Sequence, residues 1–433
     1  MSESLSQRIF DRLVDTDADR CAGISDRACD AAPPNFVRTV SANFFTKLGD
    51  AIASPKITLA WLIGAVGAPA FLVGLLVPIR ESGSLLPQLV IAGYIRRLAV
   101  RKRVWVGGAL VQALAVAGIG LVALFLAGPT AGWLIILLLV LFSLARGFSS
   151  ISSKDVLGKT IPKAQRGQTT GWAASAAGLV TLGLGGFLIW GVGQGGDVVF
   201  YAWLVIAAAG LWLVAAAIYV RIDEYGGETS ESPGLLRDAF KRLALLREDA
   251  VFRRFVITRA LLLCSALSAP YYISIAQSAL GSPAELLGVF IVASGLASML
   301  SGPFWGRFAD RSSRWVMVLA AAMAAAIGIT VFVIAQFSEG WFQQAWLLPL
   351  LYFLLSVAHQ GVRVGRKTYI VDIASGNERT DYVAVSNTAI GFILVCAGVL
   401  GSLGAVFSVP LVVLILSLLG IAGVIMGYRL PEA

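Results

Sequence analysis

Residues 67–74 read GAPAFLVG and residues 281–288 read GSPAELLG. Gly67, Pro69, Ala70, Leu72 and Gly74 recur as Gly281, Pro283, Ala284, Leu286 and Gly288, at a constant offset of 214. Beyond the octets the register continues at 213 through Gly93/Gly306, Arg101/Arg314, Lys154/Lys367, Arg166/Arg379, Gly178/Gly391 and Gly185/Gly398. The chain is therefore two similar halves in tandem. This repeat decides how the next stretch, VGLLVPIRESGSLLPQLVIAGY at 73–94, is to be read. Its central Arg80 and Glu81 belong either to a solvated turn or to a membrane span with charges near its middle. In the second half, clean apolar runs at 252–279 and 285–305 flank GSPAELLG, which makes the octet a turn between spans. GAPAFLVG is then a turn as well, with span 1 at 38–62 and span 2 at 71–95. Residues 82–95 alone would be too short, because crossing the hydrocarbon takes about 20 residues.

Composition agrees with a chain dissolved in lipid. Of 433 residues 58% are hydrophobic and only 14% charged, far from the habits of a soluble domain. Further apolar runs fall at 104–126, 132–152, 168–190, 198–220, 316–337, 343–363, 381–403 and 408–428. The expected fold is all-α and integral to the membrane, with twelve transmembrane helices in two pseudo-symmetric six-helix halves. The domains expected are a tail (1–37), a first half (38–221), a linker (222–252), a second half (253–429) and a short C-terminus (430–433). No segment has room for a catalytic domain. The tail lacks an apolar signal core. Its Cys21 and Cys29, like Cys264 and Cys396, read as free thiols, and no metal site or cofactor is expected.

Lys and Arg crowd the loops at 96–103, 154–166, 221–254, 307–314 and 363–379, whereas the six turns on the other face contain none. By the positive-inside rule both termini are cytosolic, in a plasma membrane of bacterial inner-membrane type. Trp61, Trp133, Trp190, Trp341 and Trp346 fall at the expected outer boundary. The linker segment GLLRDAFKRLALLRED, 234–249, reads as a basic amphipathic helix on the inner leaflet.

GRFADRSSRW at 306–315 resembles the signature between spans 8 and 9 of the major facilitator superfamily. The resemblance extends over the chain from about residue 38 onward. It implies a secondary transporter working by alternating access, with Gly306, Asp310, Arg311 and Arg314 in a cytoplasmic gate where an Asp faces a helix N-terminus. An ordinary positive-inside loop is the alternative. In the first-half copy, GYIRRLAVRKR, Gly93 and Arg101 keep the pattern, but Arg97 stands where the acidic residue belongs. Arg146, in LFSLARGF, resembles the arginine of a second family signature associated with proton coupling. GLVTLGLGG at 178–186 echoes the exporter signature without its Gly-Pro step, so export does not follow. GVRVGRKT at 361–368 is no phosphate loop, since its glycine spacing is wrong and it follows an apolar helix.

An ion at the bilayer centre costs on the order of 2.5–3.5 kcal/mol, so charges inside spans face protein or water. The expected cavity residues are Asn43, Lys47, Asp50, Arg80, Glu81, Gln88, Arg146, Tyr271, Tyr272, Gln277 and His359. The economical pairing is Asp50 with Arg80 and Glu81 with Lys47, leaving Arg146 without an acid and, by the repeat, opposite His359. Purely structural pairing of all these charges is the alternative. The excess of cations favours an anionic organic solute, and Asp50 or Glu81 as proton carrier. A multidrug exporter of the same fold and a non-transporting sensor or assembly protein remain the rival readings. The expected partners are the lipid bilayer, a small solute and protons, with a monomeric chain and no nucleic acid.

Overall fold

The computed structural model describes residues 26–162, 165–192, 197–227, 229, 243–309, 311–373 and 378–432. Among them there is helix and no strand, as the apolar runs require: in lipid a backbone must satisfy its own hydrogen bonds. Asp310, Cys21 and most of the 234–249 segment lie outside the described residues. Of that segment the described part forms a one-turn helix, Leu245–Glu248, after which Asp249 caps the next helix through the amides of Val251 and Phe252.

Among the described residues nine helices are long and apolar enough to cross a membrane in one piece. They are α1 (Lys102–Phe125), α2 (Gly128–Thr160), α3 (Arg166–Phe187), α4 (Val198–Tyr219), α5 (Ala284–Ala309), α6 (Ser313–Phe337), α7 (Leu347–Asp372), α8 (Glu378–Phe407) and α9 (Val409–Tyr428). They correspond to spans 3–6 and 8–12. Spans 1, 2 and 7 are broken instead. Span 1 is Ala32–Ile52 followed by Thr58–Ala65, interrupted at Ser54-Pro55. Span 2 is Val73–Leu85 followed by Gln88–Arg96, interrupted at Leu86-Pro87. Span 7 comes in three pieces, Ala250–Leu261, Cys264–Leu267 and Ala269–Leu280, the last with Pro270 in its first turn. Proline removes an amide donor and disfavours helix in the residue before it, which accounts for the first two breaks.

The repeat is visible in the backbone. Gly67 and Gly281 both have positive φ, 70° and 76°, so each octet opens with the left-handed turn that glycine permits. Within the first six spans α1 packs on α2 and α4; within the last six α6 packs on α7 and α9. Between the two sets, α8 runs along span 2 and α3 meets α5. Small residues allow that closeness: a Cβ on Gly398 would fall 2.6 Å from Pro78, and one on Gly288 would fall 2.7 Å from the Gly185 carbonyl oxygen.

Trp133, Trp190, Trp341 and Trp346 are exposed at the expected boundary, but Trp61 is not an interfacial indole. It is fully buried, edge-on to Tyr201 at 6.1 Å, because span 1 lies inside the bundle. Several helices outrun the hydrophobic estimate. α2 continues to Thr160, and its 33 residues make about 50 Å of helix, more than the roughly 30 Å of hydrocarbon. Cys29 is disulfide-bonded, contrary to the expectation of a free thiol.

Candidate functional site

The broken spans 1 and 2 carry charge within their first helical pieces. Asp50 sits in the last turn of Ala32–Ile52, and Arg80 follows Pro78 within Val73–Leu85. Arg80 Nη2 donates to Asp50 Oδ1 at 2.8 Å, while Arg146 Nη1 from α2 reaches both oxygens of the same carboxylate at 2.5 Å. Arg80 is buried and stacks its guanidinium 4.7 Å from the Phe142 ring centre. The expected Asp50–Arg80 pair is present, but Arg146 does have an acid, and it is the same one. One carboxylate between two guanidinium groups leaves a local excess of one positive charge.

Glu81 does not pair with Lys47. Helical neighbours point about 100° apart, so Glu81 leaves the Asp50 cluster and presents an exposed side chain whose nearest charges are Arg80, Lys56, Arg146 and Arg366. Lys47 is likewise exposed and lines a chamber of 770 Å³. His359, the repeat counterpart of Arg146, is bonded instead to groups of span 1 and span 7. Its Nε2 lies 2.9 Å from Lys56 Nζ, and its Nδ1 lies 3.1 Å from Ser265 Oγ. An ammonium only donates, so Lys56 fixes the imidazole proton on Nδ1, which donates to Ser265 Oγ; that hydroxyl donates to the Leu262 carbonyl at 3.1 Å.

Two chambers adjoin here. The larger, 770 Å³, is bounded by Lys47 and Ser54 of span 1, Gly178 and Leu182 of α3, Ser294 of α5, and Arg363 of α7. The smaller, 190 Å³, is lined by Lys56, Ser265, Tyr352 and His359 and shares Ser294, Ser298, Gln360 and Arg363 with the first. Gln360 Nε2 donates to Ser298 Oγ at 2.8 Å across the shared wall. On the side away from the termini the two sets of spans are latched. Gln277 Nε2 donates to the Trp61 carbonyl at 2.9 Å and Tyr201 Oη to the Ser282 carbonyl at 2.7 Å.

Tyr271, Tyr272 and Gln277, expected at the cavity, line neither chamber. Both tyrosines are buried, and Gln277 belongs to the latch. Asn43, Asp50, Arg80, Glu81, Gln88 and Arg146 also stay off the walls, which leaves Lys47 and His359 as the expected residues that line them; Gln88 Oε1 lies 3.5 Å from Asn387 Nδ2, whose amide oxygen accepts from Arg259 at 2.9 Å. Arg363, Gln360, Ser294 and Ser298 escaped the sequence reading. Arg363 passed as a loop residue because the hydropathy falls at Gly361, yet α7 continues helically to Asp372, straight through the stretch that mimics a phosphate loop. Its spacing from Gln360 and His359, three and four residues, was the available signal.

At the expected gate, Gly306 lies in the last turn of α5, Arg311 is exposed, and Arg314 donates to the Leu430 carbonyl at 2.9 Å and to Glu432 at 3.1 Å. In the first half Gly93 lies in Gln88–Arg96 and Arg97 is exposed. Arg101 pairs with Asp155, and its backbone amide and that of Lys102 donate to the Glu224 carboxylate at 2.6–2.9 Å. An acid from the end of α4 therefore faces the N-terminus of α1, as Glu432 beyond α9 bonds Ser312 at the N-terminus of α6.

The sequence model of the Major Facilitator Superfamily matches residues 39–335 and, in a second match, 263–433. No curated protein sequence matches the chain. In structure it is similar to the D-xylose-proton symporter, with TM-score 0.66 and 13% identity over 92% of this chain and 97% of that one. The inward-open xylose transporter XylE from E. coli gives 0.65 and 12% over 92% and 96%. A mutant of the nucleoside transporter NupG gives 0.65 and 12% over 92% and 99%.

Proposed function

The chain belongs to the major facilitator superfamily, whose members are transporters, and from that premise we propose that it carries a small anionic organic solute through the two adjoining chambers by alternating access. It is a multi-pass membrane protein. The moving bodies of this proposal are residues 38–221 and 253–429, the linker 222–252 tethers them, and both termini face the cytosol of a bacterial-type inner membrane. It works as a monomer, without cofactor and without catalysis. The loop around Asp310, with Arg311 and Arg314, serves as gate on the basic face.

The observation that carries the substrate class is the charge on the chamber walls. Lys47, Lys56 and Arg363 line them, among the described residues no carboxylate does, and the acid of span 1, Asp50, is already held by two arginines. Ser54, Ser294, Ser298 and Gln360 add hydrogen-bonding groups, and Leu182, Ile291 and Met299 an apolar side, which suits a carboxylate or phosphate ester with a carbon skeleton. Proton coupling is assigned to Glu81, the exposed carboxylate beside this positive field. One of the similar structures is a D-xylose-proton symporter, and that likeness supports the same class of coupling here.

The test is a thermal-shift screen of purified protein against carboxylates, phosphates, sugars and lipophilic cations. Anions stabilise the wild type, and Arg363→Ala loses most of that shift. Stabilisation by lipophilic cations alone, undiminished in Arg363→Ala, would replace this reading with the multidrug exporter. No transport of any solute in liposomes, with stoichiometric copurification of another protein, would favour the non-transporting sensor.

A further inference from the structure

A third cavity lies outside the proposed transport path. Its 820 Å³ are enclosed by the end of span 2 and the turn after it, by α1 and by α2. Tyr94, Val104, Gly107, Val111, Leu144 and Phe148 form its walls, and among the described residues Arg103 is the charged one that lines it. It opens on the lipid-facing surface, where Tyr94 is 55% and Leu144 41% exposed. Arg103 is exposed in the first turn of α1, and Arg97 is exposed on the preceding turn. The local carboxylates are committed elsewhere: Asp155 pairs with Arg101, and Glu224 takes the α1 amides and Lys159.

The depth of the groove matches one leaflet. Val111 is eight residues beyond Arg103, about 12 Å down the helix, against about 15 Å for half the hydrocarbon. A ligand that fits has a negative head at the basic face and a long apolar tail running inward along Gly107. We propose that this groove holds one anionic phospholipid of that leaflet, its phosphate on Arg103 and Arg97 and one acyl chain against α1 and α2. A zwitterionic lipid carries no net charge for this rim, and a free phosphate leaves the apolar walls wet.

Two substitutions separate head from tail. A Cβ on Gly107 would meet nothing within 4 Å, so Gly107→Leu fills the groove without touching the core. Arg103→Gln removes the charge and keeps most of the side-chain length. The experiment titrates the full chain in detergent with phosphatidylglycerol, phosphatidylcholine or glycerol phosphate and counts retained molecules by native mass spectrometry. The wild type retains one phosphatidylglycerol at least tenfold more tightly than phosphatidylcholine. Arg103→Gln brings that ratio close to one, and Gly107→Leu abolishes retention of both lipids while its elution and helix content match the wild type. Leu144→Trp, which occludes the groove from α2, does the same and serves where Gly107→Leu does not fold. Equal retention of the two lipids by the wild type, undiminished retention in both folded groove-filling variants, or glycerol phosphate retained as well as lipid would each overturn the assignment.

Discussion

Asp50 is one carboxylate answering two guanidinium groups, and the asymmetry between its partners decides what its loss would do. Arg80 is buried against Phe142, whereas the Arg146 side chain is 35% exposed. Removing the anion leaves Arg80 as an uncompensated charge in a low-dielectric site, a type of loss worth about 3–5 kcal/mol. Asp50→Asn is therefore expected to lower the thermal unfolding midpoint of the purified protein by several degrees and to slow transport. Adding Arg80→Met to Asp50→Asn should recover part of the stability, since no buried cation is then left alone. An unchanged midpoint in Asp50→Asn would show that the cluster is hydrated enough to dispense with its acid. The sequence exposed this residue, because an Asp inside an apolar run is expensive wherever it faces. It did not expose the second partner, since Arg146 and Asp50 are 96 positions apart and nothing local links them.

At the scale of single helices the glycines at the crossings do the work that hydropathy cannot reveal. α3 and α5 meet where Gly185 faces Gly288, so close that a methyl group on Gly288 has a backbone carbonyl 2.7 Å away. A side-chain neighbour could rotate aside, but a carbonyl cannot. Gly288→Ala is thus expected to wedge the latched side open. The readout is Ser175→Cys, a cavity-lining position, in oriented liposomes. With the native glycine, an impermeant maleimide reaches it from the basic face only; in Gly288→Ala it also reaches it from the other face. Labelling from one face in both proteins would mean that the Gln277–Trp61 and Tyr201–Ser282 bonds hold the seal without the glycine contact. Broken helices are the other lesson at this scale. Pro55 and Pro87 marked two of them, but their effect is to place Lys56 beside the shared chamber and to turn the end of span 2 toward the outer groove.

Over the whole molecule, transport requires that the cavity change sides and that a proton bias the change. Glu81 is placed for the second task, with Arg80, Lys56, Arg146 and Arg366 around it. When it is charged it draws cations of span 1 and of α7 toward span 2; when it is neutral that attraction is gone and the two bodies separate more easily. Glu81→Gln is expected to transport down a solute gradient and to lose acceleration by an imposed pH gradient. Uptake by this variant that still follows the pH gradient, or wild-type uptake that follows sodium instead, would remove Glu81 from the coupling role.

What the sequence by itself determined was the membrane, the twelve spans, the tandem repeat and the superfamily, because each rests on a local or periodic property of the chain. Hydropathy is a sum over neighbours, positive-inside charge is a property of loops, and the octets at 67 and 281 report the same positive-φ turn twice. Charged residues within spans were equally legible as exceptions. Which of them meet was decided only in three dimensions. Lys56 and His359 are 303 positions apart, and Gln277 finds Trp61 across 216. Pairing inside a bundle depends on helix rotation, on breaks and on how deeply each helix sits, none of which an apolar run records. For the same reason Arg363 read as a loop residue and Tyr271 as a cavity residue. Helix continues past the hydrocarbon when its backbone bonds are satisfied, and a tyrosine in an apolar run faces whichever neighbour the packing brings to it.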